Sequence, residues 1–74
     1  MAKIPVMAAY IKNEPTNKIV VWPEGERPTG RYAILEKKRG EWVKTLSTPR
    51  KVIQGGTWQN PLYIEQKLYN ECFG

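Results

Sequence analysis

Few side chains in this sequence are equipped for covalent or acid–base chemistry, and they are scattered. Cys72 and Ser47 are the candidate nucleophiles, each the only residue of its type. Either would need a base to activate it, yet the chain has no His and no Asp. That removes the imidazole base, the carboxylate–imidazole relay and the commonest nitrogen metal ligand. Ser47 therefore reads as an exposed strand hydroxyl and Cys72 as a thiol packed on a helix. One Cys cannot make a four-ligand zinc site. The seven acidic residues are all Glu, and a glycosidase-like pair would need two of them at a fixed separation. Glu24 and Glu26 fall in a Pro-flanked loop, Glu36 and Glu41 suit cross-strand ion pairs in a hairpin, and Glu14, Glu65 and Glu71 are scattered. Gly55-Gly56-Thr57 lacks the outer glycine and the Gly-Lys-Ser/Thr ending of a phosphate loop, so it reads as a connection. The expectation is a protein that is not an enzyme and holds no cofactor and no metal.

Binding chemistry is better represented. Lys37, Lys38, Arg39, Lys44, Arg50 and Lys51 are half of the twelve basic residues, packed into a short stretch that also carries Trp42. Cations beside an aromatic face can hold phosphates while a base stacks. The same composition also serves as a solvated strand edge that resists aggregation, or as a complement to an acidic protein surface. These seven residues are the candidate partner-binding set. Three Trp is a high dose for this length, and Trp is both a core anchor and an interface hot spot. Trp22 is expected in the core and Trp58 as a lid over it, while Trp42 fits either role.

The elements that must position these residues are short. Pro and Gly punctuate β-branched and aromatic runs about every ten residues, the pattern of antiparallel strands joined by turns. Residues Ile4 to Lys12 and Lys18 to Trp22 are predicted strands, followed by a long loop from Glu24 to Gly30. Arg31 to Lys37 and Glu41 to Ser47 form a hairpin around a three-residue loop, Lys38-Arg39-Gly40, with Gly40 in the left-handed region. In that register Lys37 faces Glu41, Leu35 faces Val43 and Tyr32 faces Leu46, and Trp42 shares a face with Ile34 and Lys44. Arg50 to Gln54 adds a strand ended by Gly55-Gly56. Asn60-Pro61 resembles a helix start, and a helix from Pro61 to about Glu71 would place Leu62, Ile64, Leu68, Tyr69 and Cys72 on one side. Glu65 interrupts that side, either at its margin or paired with a cation on the sheet. The fold class is α+β, a small antiparallel sheet of about four strands with one C-terminal helix. The competing architecture is a five-strand OB- or SH3-like barrel.

With 74 residues and a formal charge of +5, the chain is read as one small basic domain, residues 1–74, with flexible ends. It lies near the lower size limit for folding on one core, and a lone Cys provides no disulfide framework. A reducing cytoplasm is the expected compartment. The apolar run near the N-terminus is broken by Pro5 and Tyr10, too short for a signal sequence or a membrane span of about 20 residues, so no membrane association is expected.

With an Ala-Lys-Ile-Pro-Val start at residues 2 to 6, a compact basic chain and no catalytic apparatus, the sequence resembles, over its full length as a type, a small phage-encoded regulator of bacterial RNA polymerase, of the kind made by Xanthomonas-infecting phages. The resemblance implies a protein that docks on RNA polymerase subunits in the host cytoplasm, interferes with initiation and modulates elongation or termination. It carries no contact residues across. Together with the charge and aromatic pattern it suggests a monomer that engages its partner near nucleic acid and blocks or displaces another factor. Direct nucleic-acid binding is the alternative, and an assembly subunit stabilised by its neighbours is a third reading.

Overall fold

One antiparallel sheet and one helix make up the described chain. The computed structural model describes residues 2–12, 14–26, 30–45 and 54–74. Six strands are formed: β1 (Lys3–Ile11), β2 (Lys18–Pro23), β3 (Ala33–Lys38), β4 (Glu41–Lys44), β5 (Gln54–Thr57) and β6 (Leu62–Glu65), with helix α1 (Gln66–Phe73) closing the chain. The α+β class of the sequence reading holds, with six strands where about four were expected.

β1 organises the sheet, in the order β4-β3-β2-β1-β5, with β6 also pairing β1. Val6 pairs with Pro23 on one edge and Leu62 on the other, and Ala9 with Val20 and Thr57, so β5 and β6 share the edge of β1 opposite β2. Pro5, inside a long strand, is accommodated by register. Gln66 donates its N–H to the Ala2 carbonyl at 3.3 Å, which makes Pro5↔Tyr63 a non-hydrogen-bonded pair. The Pro5 nitrogen thus faces the other edge, where pairing to β2 begins only at Val6.

Both faces of the central strands are apolar, as continuous runs such as Ile19–Trp22 require. Val6, Ala8, Ile19, Val21, Ala33, Leu35 and Ile64 form one buried cluster, and the helix packs on it through Leu68, Tyr69, Cys72 and Phe73. Ala9, Ile11, Val20, Trp22 and Ile34 form the second, with Met7 against it. Trp22 is 4% exposed, the core position expected of it. The helix touches β4, β6 and β1. Since β4 and β6 are opposite outer strands, about 19 Å apart in a flat sheet at 4.8 Å per spacing, and a helix of eight residues spans only about 12 Å, the sheet curls strongly. The helix fills the open side of the curl.

Three expectations are corrected. The hairpin loop has two residues, Arg39 and Gly40, with φ of 52° and 80°. Two successive left-handed residues make the type I′ turn whose twist matches the strands it joins. The register moves by one: Lys38 pairs with Glu41, Lys37 with Trp42, Glu36 with Val43 and Leu35 with Lys44. Trp42 therefore shares a face with Leu35 and Lys37, not Ile34. Leu46 and Ser47, and with them the Tyr32–Leu46 pair, lie outside the described residues.

The helix begins at Gln66, not Pro61. Leu62–Glu65 is instead a strand paired with Lys3–Val6, and Glu65 occupies the N-cap without a side-chain capping bond. Ladder bonds and burial of Ile64 against the core outweigh the local Asn60-Pro61 signal. Gly55-Gly56 likewise does not end a strand but lies inside β5. A Cβ on Gly55 would sit 3.1 Å from the Tyr10 carbonyl oxygen, so the close approach of β5 to β1 depends on glycine there. Arg50 to Ile53 lie outside the described residues.

Candidate functional site

The candidate cations separate by what they already touch. Lys37, Lys38 and Arg39 project at the exposed end of the β3–β4 hairpin, with Lys37 on the face of Trp42 and Lys38 on the opposite face. The Lys37 ammonium lies 5.6 Å over the Trp42 ring, a consequence of their direct cross-strand pairing. At an exposed site such a contact contributes roughly 0.5–1 kcal/mol. Lys38 Nζ lies 3.5 Å from Glu36 Oε1 on its own strand. Arg39 is exposed at the turn itself. Lys44 is turned toward the helix, donating to the Glu71 carbonyl oxygen at 2.9 Å. A cation at the carbonyl end of a helix is favoured by the unpaired acceptors and by the dipole, so Lys44 has a structural task. Arg50 and Lys51 lie outside the described residues. The structure thus brings Lys37 and Trp42 together, leaves Lys38 and Arg39 exposed at the same hairpin end, and places Lys44 at the helix end.

Trp42 is half-buried and belongs to an aromatic row. Its ring meets Trp58 edge-on at 6.2 Å, and Trp58 meets Tyr10 at 5.6 Å with the planes tilted by 54°. The row starts at Tyr10 on β1, passes through the β5–β6 connection and ends at Lys37 on β3. Trp58 covers the helix-side cluster, the lid role expected of it, yet its Nε1–H is enclosed and has no acceptor among the described residues. Beside it an open pocket of about 360 Å³ is lined by Tyr10, Gly56, Thr57, Trp58, Gln59 and Asn60. A larger groove of about 600 Å³ runs between the β4 and β6 edges, with Trp42, Lys44, Ile64 and Leu68 among its walls.

Two further cations were not singled out by the sequence. Arg31 forms a two-pronged pair with the Glu26 carboxylate, donates from Nη1 to the Phe73 carbonyl oxygen at 3.2 Å and lies 5.9 Å over the Phe73 ring. It fastens the 24–26 turn to the end of α1. The hydrogen bond from Arg31 lowers the Glu26 carboxyl pKa, and the same bond raises that of Arg31. Lys3 lies 3.9 Å from Glu65 Oε1, directly across the β1–β6 ladder, which resolves Glu65 as the partner of a sheet cation. No sequence signal marks the Arg31 clamp, since Phe73 is 42 residues away. Tyr10 could have been found from its alternation with buried Ala9 and Ile11.

Cys72 is half-buried on the core side of α1, and desolvation raises its thiol pKa. It packs against the helix-side cluster. Among the described residues no group of three or more Cys, Asp, Glu or His side chains is arranged to hold a metal ion, and no helix is long and apolar enough to cross a membrane. In comparison with known proteins, the chain matches no family model, no curated protein and no solved structure.

Proposed function

We propose that this protein is a non-enzymatic regulator that binds bacterial RNA polymerase in the cytoplasm and inhibits or modulates transcription by blocking or displacing another factor. The observation that carries the binding reading is the hairpin end, where Lys37, Lys38 and Arg39 stand exposed at a tight turn and the Lys37 ammonium lies over the Trp42 ring. A rigid cationic tip backed by an aromatic ring is suited to an acidic or mixed protein surface: charges speed encounter and a few anchors supply most of the affinity. RNA polymerase as the partner rests on the resemblance of the whole chain. A monomer of this size can offer the roughly 800 Å² per partner of a standard interface.

The test is capture of purified RNA polymerase by the immobilised protein, with and without nuclease. A complex that survives nuclease and loses affinity when Arg39 and Lys38 are both changed to Glu supports the reading. It fails if purified polymerase gives no complex at about 1–10 μM (free energies near −8 to −7 kcal/mol). Loss of the complex on nuclease treatment would favour direct nucleic-acid binding by the same cations.

A further inference from the structure

The pocket beside Trp58 is distinct from the hairpin tip and has a chemistry of its own. One wall is Tyr10, 41% exposed despite its place in the central strand, and the Trp58 ring, which meets Tyr10 at 5.6 Å, adjoins it. Gly56 lies on the β5 side, where it presents no side chain to the pocket. Gln59 and Asn60 complete the rim, both exposed and neither making a side-chain hydrogen bond among the described residues. An aromatic face beside two unengaged amides matches the needs of a nucleobase, which stacks by its face and exchanges paired donors and acceptors along its edge.

Charge favours the same class of ligand. Among the described residues no carboxylate lines this pocket, whereas Glu41, Glu65 and Glu71 line the larger groove. The row Tyr10–Trp58–Trp42 continues past one base and ends under the Lys37 ammonium. At the other end, Lys12 is exposed just beyond β1, its backbone nitrogen 3.6 Å from where a Gly55 Cβ would lie. The net charge of +5 supplies a favourable background for a polyanion.

We propose that this pocket receives an unpaired base of single-stranded nucleic acid. The base stacks on Tyr10 with its edge toward Gln59 and Asn60, and the strand continues along the aromatic row between Lys12 and Lys37. This does not rest on the polymerase reading, and its test contains no polymerase, so either can fail alone.

The experiment is a fluorescence-anisotropy titration of the full chain against labelled dT12 and a 12-base-pair duplex at several salt concentrations, with unlabelled UMP as competitor. Single strand is expected to bind at least about 10-fold more tightly than duplex, since duplex bases offer no free face. Tyr10→Ala should weaken dT12 binding about 10-fold, the scale of one lost stacking contact, while Tyr10→Phe retains it. Lys12→Ala should reduce the slope of log affinity against log salt by about 0.7. Asn60→Asp, a change on the exposed rim that does not threaten folding, should weaken binding more than Asn60→Ala. Equal affinity for duplex and single strand, competition by UMP as strong as by the oligonucleotide, or an unchanged affinity in Asn60→Asp would overturn the proposal. So would a proline-rich peptide shifting the Trp58 indole resonance where dT12 leaves it unmoved.

Discussion

Arg39 occupies a backbone position that its side chain does not favour. With φ of 52° it is the one described non-glycine residue in the left-handed region, where an L side chain costs roughly 1 kcal/mol. Asn tolerates that region through local hydrogen bonding, and Asn-Gly is the preferred I′ pair. Arg39→Asn should therefore stabilise the fold by about 0.5–1 kcal/mol, provided Arg39 makes no compensating contact. Nothing within 4 Å crowds the neighbouring Gly40 position, in keeping with a turn open to solvent. For a domain this small, 1 kcal/mol moves the midpoint by about 4–8 °C, so Tm should rise by about 2–8 °C in thermal unfolding followed by circular dichroism. If the protein binds RNA polymerase as proposed, the same substitution should slow that association several-fold, because it removes a charge from the tip. A raised Tm with weakened binding would mean that the turn accepts strain to keep a cation there. A lowered Tm would refute the reasoning and show Arg39 to be held by native contacts.

Leu35, with no exposed surface, should cost about 2–5 kcal/mol on truncation to Ala, read from urea unfolding. Gly55→Ala forces a contact of 3.1 Å with the Tyr10 carbonyl and should cost about 1–3 kcal/mol while shifting the Tyr10 ring resonances. Glu26 has a lowered folded-state pKa because Arg31 donates to its carboxylate. Its contribution to stability is therefore present above the ordinary carboxylate value and lost as pH falls through the lower folded value. The protection factors of the Cys72–Gly74 amides, which divide out the acid slowing of intrinsic exchange, should fall over that acid window in the native chain and already be low at neutral pH in Arg31→Ala. Cys72, its pKa raised by burial, should react with a disulfide reagent at pH 8 more slowly in the folded chain than in urea.

What the sequence disclosed follows the range of the forces involved. β1 and β2 were legible because a run like Ile19–Trp22 has no other economical burial, and Trp22 was correctly placed in the core. The hairpin was found but misregistered by one residue, since Gly40 alone could serve either a three-residue loop or a I′ turn. Only Arg39 accepting a left-handed conformation decides between them. That shift had consequences for the site: it moved Trp42 from the face of Ile34 to that of Leu35, and so under Lys37 and against Trp58. At Leu62–Glu65 the alternation was visible, with Tyr63 58% exposed beside buried Ile64. The Asn60-Pro61 helix signal masked it, and only pairing with Lys3–Val6 settles the matter. Arg31 reaching Phe73, and Lys44 reaching Glu71, depend on the curl of the whole sheet and leave no local trace.

The curl also explains why counting basic residues overstates the surface available for binding. Lys3 is held by Glu65 and Arg31 by Glu26, while Arg31 and Lys44 both donate to carbonyls in the last turn of α1. That helix has no basic residue of its own in its last turn, so Lys44 from the sheet and Arg31 from the segment before β3 serve that end and fix the helix over the open side of the sheet. Loss of Lys44 would loosen the packing of α1 before it altered any interface, so a weakened complex in Lys44→Ala would confuse folding with recognition. Lys37, Lys38 and Arg39 carry no such task toward the helix. A charge scan should accordingly divide in two. Under the proposed polymerase binding, Lys44→Ala and Arg31→Ala should lower Tm and weaken the complex in proportion, whereas Lys38→Ala and Arg39→Ala should weaken it with Tm unchanged or raised. If all four variants lose binding without losing Tm, the helix does not depend on these cations, and Lys44 belongs with the hairpin tip after all.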